Sequence, residues 1–319
     1  MKTYSTLFIF VFLMTPAFCF TSQESSLNKP DSKASLLAPG EHYASILDVN
    51  IWYKVAGHGP LLIVMSPQWG IGSTYLQNGI FPLEQYFTVV YVDARGNEKS
   101  SRPADATRMS TSDMADDLER LRVYWDLQSL NLLGHSGGGG IILGYAERYP
   151  EHANKLVLID SDVTDIYPSP ASKKFEDVRR HDPRYAQAMA HLKDPTPTDD
   201  IFQKNLSETL AWYLNDPEKY VPFLKETLAG TNLSLWAHDN WWKSEQLHPV
   251  PQSVNLHLVQ AKTLILVGRE DPECPVVMSE TIHSGILGSK LIVFERTGHF
   301  PWIESREKFF SVVSQFLTK

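Results

Sequence analysis

The stretch Leu130-Asn131-Leu132-Leu133-Gly134-His135-Ser136-Gly137-Gly138-Gly139-Gly140, continued by Ile141-Ile142-Leu143-Gly144-Tyr145-Ala146-Glu147-Arg148-Tyr149-Pro150, decides the fold. It reads as an apolar strand ending in Gly-x-Ser-x-Gly, then a helix that opens on glycines and stops before a proline. A strand that turns at once into a helix strains its central residue and leaves no room for a Cβ two positions away on either side. That accounts for Gly134 and Gly138. The same turn aims the N–H of Gly137 and the positive end of the helix at whatever Ser136 attacks, so Ser136 is the candidate nucleophile. A phosphate-cradling loop is excluded, because neither Gly-Lys-Ser/Thr nor Gly-x-Gly-x-x-Gly is present.

Working outward, continuous apolar runs mark strands buried on both faces of a parallel sheet: Leu61–Met65, Phe87–Val92, Leu156–Ile159, Thr263–Gly268 and Leu291–Phe294. Before them, His42–Val49 and Ile51–Val55 read as two paired strands. Ser112 is expected to cap a helix running through Asp126, its buried face carrying Met114, Leu118, Leu121, and Val123 or Tyr124. An amphipathic helix from about Glu304 to Leu317 closes the chain. Between Val163 and Pro251 the strand rhythm stops, giving way to proline-punctuated helical segments with Trp212, Tyr213, Phe223, Trp236, Trp241 and Trp242. An insertion of this kind reads as a lid over the carboxyl edge of the sheet. The expected organisation is a signal peptide over 1–19, a loose leader over 20–40, an α/β core over 41–162 and 252–319, and a helical cap over 163–251.

Several loops leave strands at the edge where open α/β sheets bind ligands. After Met65 comes Ser66-Pro67-Gln68-Trp69-Gly70. Proline has no N–H, so the backbone N–H of Gln68 is the candidate partner of Gly137 in an oxyanion hole, and Trp69 a candidate pocket wall. Asp93 and Arg95 are expected to pin the Ala94–Pro103 loop by charge-assisted hydrogen bonds. Val267-Gly268-Arg269-Glu270-Asp271-Pro272 and Thr297-Gly298-His299 each deliver a chemical residue type past a strand end. Serine is a poor nucleophile unless an imidazole takes its proton and a carboxylate orients that imidazole. Ser136, Asp271 and His299 supply these roles in the order Ser…Asp…His. Glu270, Asp160 and Asp162 are rival acids, and His135 reads as structural.

On Gly134-His135-Ser136-Gly137-Gly138, the Asp93-Ala94-Arg95-Gly96 loop, Val267–Pro272 and Gly298-His299, the chain from about Gly40 onward resembles the α/β-hydrolase superfamily with a helical cap, in the proline iminopeptidase and esterase branch. The resemblance implies an α/β fold, with a mostly parallel central sheet flanked by helices and the cap inserted after the sixth strand. It also implies Ser136 as nucleophile, Asp271 as acid, His299 as base, and Gly137 with Gln68 as oxyanion hole. Where relatives read His-Gly-Gly-Pro-Gly, this chain has Ser66-Pro67-Gln68-Trp69-Gly70. Ser136 stands where epoxide hydrolases and haloalkane dehalogenases carry Asp. Glu176, Glu208 and Glu226 in the cap do not align with the acidic residues that hold a peptide amino terminus in proline iminopeptidases.

The 319-residue chain has 43% hydrophobic residues, 21% charged residues and a formal charge of −8, which fits a globular protein and excludes a general nucleic-acid binder. Lys173-Lys174 and Arg179-Arg180 lie in a mixed-charge segment and read as a solvated helix face. Lys2 ahead of Leu7–Met14, then Ala17-Phe18-Cys19, has the form of a cleaved secretory signal, with an uncleaved anchor as the alternative. The apolar run is short for a bilayer span, so no stable membrane insertion is expected once it is cleaved. Sequons at Asn205-Leu206-Ser207 and Asn232-Leu233-Ser234 agree with a secretory route. Cys274 alone would remain after cleavage, so no internal disulfide is expected. No His-Glu-x-x-His or other metal constellation occurs, and neither a cofactor nor a metal is expected. The expected activity is a secreted serine hydrolase of small-molecule esters, lactones or small amides. A proline iminopeptidase-like aminopeptidase is one alternative, and a ligand-binding, receptor-like hydrolase fold with little turnover is another.

Overall fold

The computed structural model describes residues 33–319, so the expected signal segment 1–19 and most of the leader lie outside the described residues. Eight strands form one sheet: β1 (Gly40–Ile46), β2 (Val49–Gly57), β3 (Leu61–Met65), β4 (Thr88–Val92), β5 (Leu130–His135), β6 (Ala153–Ile159), β7 (Lys262–Gly268) and β8 (Lys290–Phe294). Their order is β1-β2-β4-β3-β5-β6-β7-β8. β2 runs antiparallel to β1 and β4, and the remaining pairs are parallel.

The apolar runs are continuous because both faces are covered. Ile63, Met65, Leu132, Leu156, Leu158 and Ile265 enter one core, while Leu62, Val64, Leu133, Val157, Ile159, Leu264 and Leu266 alternate with them into a second. The first core is closed by helices Thr111–Tyr124 and Gly137–Arg148, the second by Thr74–Ile80 and Arg306–Thr318. Register aligns the strand ends: Met65 pairs with Gly134, His135 with Ile159, and Gly268 with Phe294. The loops after β3, β5, β6, β7 and β8 therefore emerge side by side along one edge.

Local details correct some expectations. Helix Thr111–Tyr124 is capped by Ser110, not Ser112, in a reciprocal capping box with Asp113. Residues 33–36 of the expected leader form a short helix, and β1 already begins at Gly40. The closing helix is interrupted at Ser305, with a short turn Pro301–Glu304 preceding Arg306–Thr318. Between β6 and β7 lie helices Ser172–Arg179, Ala186–His191, Asp199–Glu208, Pro217–Thr227 and Leu235–Leu247, with short 3₁₀ turns among them. Lys173, Lys174 and Arg180 are solvated as expected, but Arg179 is not. It is buried, and its guanidinium bonds the carbonyls of Trp212 and Glu270 while stacking near Tyr185 and Trp212. A buried cation needs such partners to replace lost hydration. Among the described residues, no helix is long and apolar enough to cross a membrane.

Candidate active site

Ser136 sits between β5 and its helix with φ +55 and ψ −128, a conformation rarely occupied by a non-glycine residue. Two close approaches make this turn possible. A Cβ on Gly134 would lie 2.3 Å from the Gly138 carbonyl oxygen, and one on Gly138 would lie 2.4 Å from that of Met65. Ser136 makes no side-chain capping bond and faces a cavity of about 180 Å³ that it shares with His299.

His299 follows β8, and its Nδ1 lies 2.8 Å from Asp271 Oδ2. Asp271 Oδ1 accepts from the N–H groups of Glu273 at 2.8 Å and Cys274 at 3.2 Å. Both side chains are buried. Burial opposes charge on each, but their mutual attraction outweighs it, raising the His299 imidazole and lowering the Asp271 carboxyl from their ordinary values. With Nδ1–H donated to Asp271, Nε2 keeps its lone pair. Among the described residues no hydrogen bond joins Ser136 to His299, a contact that in unliganded sites often tightens only with substrate.

The two expected oxyanion donors are neighbours. Gln68 is fully buried, and a Cβ on Gly137 would lie 1.8 Å from its Oε1. Among the described residues, neither the Gln68 nor the Gly137 backbone N–H has an intramolecular acceptor. Gln68 Nε2 donates to Asp162 Oδ2 at 3.1 Å. Trp69 lines the cavity, as expected. His135 also touches the cavity, but its ring is committed: Nδ1 meets Tyr75 Oη and Nε2 the His299 carbonyl, each at 2.8 Å. Burial and the neighbouring His299 hold it well below the usual histidine range, hence neutral.

The rival acids are placed elsewhere. Asp162 lies against Gln68 and Gly140 on the cavity wall, its carboxyl pushed up to about 7 by burial. Asp160 sits behind Asp271, and the Glu270 backbone N–H bonds Thr297. Asp93 accepts from Ser73 N–H at 2.6 Å and Lys99 N–H at 3.2 Å, while Arg95 forms a two-pronged pair with Asp117 at 2.5 and 2.6 Å. Both residues pin loops, the role expected of them.

Residues that sequence reading missed fasten the inserted helices to the edge. Glu304 accepts from Gly298, Asn215 and Asp216 N–H groups at 2.6 to 3.0 Å, and His299 N–H donates to the Tyr213 carbonyl at 2.8 Å. Trp212 Nε1 donates to Glu273 Oε1 at 2.5 Å. Glu273 is half-buried and lines the cavity beside Asp162; no Lys or Arg does so among the described residues. Glu176 and Glu208 are instead occupied outside the cavity, by Arg180 with Lys193 and by Gln187.

A family profile of the α/β hydrolase fold matches residues 68–305, and the chain belongs to that family. A proline iminopeptidase of Saccharolobus solfataricus is 25% identical over 308 residues, covering 87% of this chain and 92% of the relative. A 2-hydroxymuconate semialdehyde hydrolase of a Pseudomonas species is 26% identical over 296 residues, covering 92% and 96%. Among solved structures, an α/β fold family hydrolase from Bacillus anthracis shares the architecture with a TM-score of 0.70 at 20% identity, over 87% of this chain and 98% of that one.

Proposed function

We propose that this hydrolase of the α/β fold is a serine hydrolase that cleaves an ester, lactone or small amide through an acyl-enzyme. The observation carrying the reading is the 2.8 Å Asp271–His299 bond opening onto the cavity that also presents Ser136. His299 Nε2 takes the Ser136 proton as Oγ attacks the carbonyl carbon, and Asp271 stabilises the imidazolium. The N–H groups of Gly137 and Gln68, with the helix N-terminus behind Gly137, receive the developing oxyanion. His299 returns the proton to the leaving group, and water then repeats the sequence on the acyl-enzyme. A fluorophosphonate probe is expected to label the wild-type protein and to leave Ser136→Ala unlabelled; labelling of the variant would sink the reading.

An aminopeptidase-like variant of this chemistry is the second reading. It draws support from Asp162 and Glu273 in a cavity that no Lys or Arg lines among the described residues. Two carboxyl groups among aromatic walls suit a neutral or amine-bearing substrate and disfavour a carboxylate-bearing one. Aryl esters, lactones, aminoacyl-arylamides and a dicarboxylate ester, given to the same two preparations, separate the cases. Turnover is expected on neutral or amino substrates, with the dicarboxylate poorest. A preference for the dicarboxylate would contradict the charge argument.

The secretory address rests on the form of residues 1–19 and on the two sequons. Asn232 is exposed in a loop, whereas Asn205 lies within helix Asp199–Glu208 with its amide on the Asp194 and Pro195 carbonyls. Asn232 is therefore the better-presented acceptor. Expression through a glycosylating secretory pathway should yield medium protein that starts after Cys19 and shifts on endoglycosidase treatment, with Asn232→Gln removing the larger share. Full retention in the cell with an intact amino terminus would refute the address.

A further inference from the structure

Asp160 is the first residue after β6, on the same edge as Asp271, and the mechanism above leaves it without a role. Its backbone N–H donates to Leu266 at 2.8 Å, and its Oδ1 accepts from Gly268 N–H at 2.7 Å, so it is tied to β7 at the point where the acid loop begins. Its side chain is fully buried beside Asp271, whose backbone N–H donates to the Gly268 carbonyl at 3.3 Å, so Gly268 ties the two aspartates together. Asp160 Oδ2 is an acceptor with no donor among the described residues. Two ionised carboxylates side by side in a dry interior repel, and one shared proton turns the repulsion into a hydrogen bond.

The proton's location follows from counting donors. Asp271 already receives three: Glu273 N–H, Cys274 N–H and His299 Nδ1–H. Asp160 receives one, from Gly268. The better-solvated carboxyl is the anion. We propose that Asp160 is a positioning residue for the triad: it holds the single proton of the Asp160–Asp271 pair and donates it to Asp271, fixing that carboxylate on His299.

The inference rests on the proposed role of Asp271 as the acid that orients His299. Around the pair stand Glu304 from the turn after His299, the Cys274 thiol, Glu273, His299 itself and the Arg179 guanidinium on the Glu270 carbonyl. Of these, His299 and Arg179 are the cation-forming groups, and His299 is the one bonded to the Asp271 carboxyl. Burial, followed by the charges of Asp271 and Glu304, drives the Asp160 carboxyl well above its ordinary range.

Asp160 has φ +42, a conformation that Asn and Gly tolerate. Asp160→Asn keeps an acceptor for Gly268 and supplies a permanent donor to Asp271. Asp160→Gly removes the donor without backbone strain. With a p-nitrophenyl ester as probe substrate, Asp160→Asn is expected to keep kcat within about threefold of wild type. Asp160→Gly should lose about tenfold or more in kcat with KM nearly unchanged. Its acid limb should move to higher pH, because charge then concentrates on the Asp271 oxygen that faces His299.

Stability supplies a readout independent of catalysis. The folded value for Asp160 lies above the unfolded one, so its stabilising contribution is complete below the unfolded value and declines as pH rises toward the folded value. Asn does not titrate, so the Tm of Asp160→Asn should gain on wild type between about pH 5 and about pH 8. A Tm difference that stays flat over that range would show Asp160 already ionised and overturn the proposal. So would an Asn variant as slow as the Gly variant, or a Gly variant as fast as wild type. Should wild type fail to label with fluorophosphonate, the serine hydrolase reading falls, and the Tm series still reports on the proton.

Discussion

Asp271→Asn is expected to lower kcat on an ester probe by about 10⁴-fold while leaving the protein folded. The size follows from what the carboxylate does. Bonded to His299 Nδ1 at 2.8 Å, it fixes the tautomer that leaves Nε2 able to accept a proton from Ser136. An amide at that position can present its NH₂ to Nδ1 and reverse the tautomer, leaving Ser136 without a base. It also removes the charge that holds His299 above its ordinary value against the effect of burial. The residual acid limb of kcat/KM should therefore move to lower pH in the variant, whereas wild type should lose activity as pH falls through a value above 6.5. Asp162→Asn makes the contrast. Asp162 bonds Gln68 and the cavity rather than His299, so its loss should alter KM and substrate preference more than kcat. Activity of Asp271→Asn within tenfold of wild type, with Asp162→Asn or Glu270→Gln inactive, would move the acid's role to the rival.

The strands and the elbow were legible because their signals are local. A strand covered on both faces needs an unbroken apolar run, and Gly134, Ser136 and Gly138 carry the turn within five residues. The Ser110 cap was equally local: Ser110 and Asp113 have capping-box spacing, and reading Ser112 instead overlooked it. Other features were hidden because they depend on chain segments meeting over long separations. Arg179 looks like half of a surface basic pair until the Trp212 and Glu270 carbonyls surround it. Glu273 becomes a cavity residue only when Trp212, 61 positions away, donates to it. Asp160 and Asp271 meet at Gly268 because β6 and β7 are neighbours, and local periodicity carries no strand order. The triad residues could thus be named from strand ends, while the groups that fasten and tune them required the sheet.

The elbow itself provides the prediction with the largest effect on folding: Gly138→Ala should yield insoluble protein, or a fold weakened by about 3 kcal/mol or more. A Cβ at this position would lie 2.4 Å from the Met65 carbonyl oxygen and 3.1 Å from the Ser66 carbonyl carbon. Those atoms are backbone at the end of β3, which pairs in parallel register with β5, so no rotamer change relieves the clash. Either β3 separates from β5 or the helix behind Ser136 tilts away, and each movement displaces Gly137 from Gln68. Gly144→Ala, two turns along the same helix, is the control. Its Cβ would lie 3.1 Å from the Gln252 Nε2 side-chain atom and 3.9 Å from Ala115 Cβ, while alanine favours helix by about 1 kcal/mol over glycine. That variant should stay within about 1 kcal/mol of wild type. Soluble yield and Tm separate the two, and any folded fraction of Gly138→Ala should react with fluorophosphonate far more slowly than wild type. A Gly138→Ala protein with wild-type Tm and labelling rate would mean that the close approach of helix and β3 is not what holds Ser136 in its strained conformation.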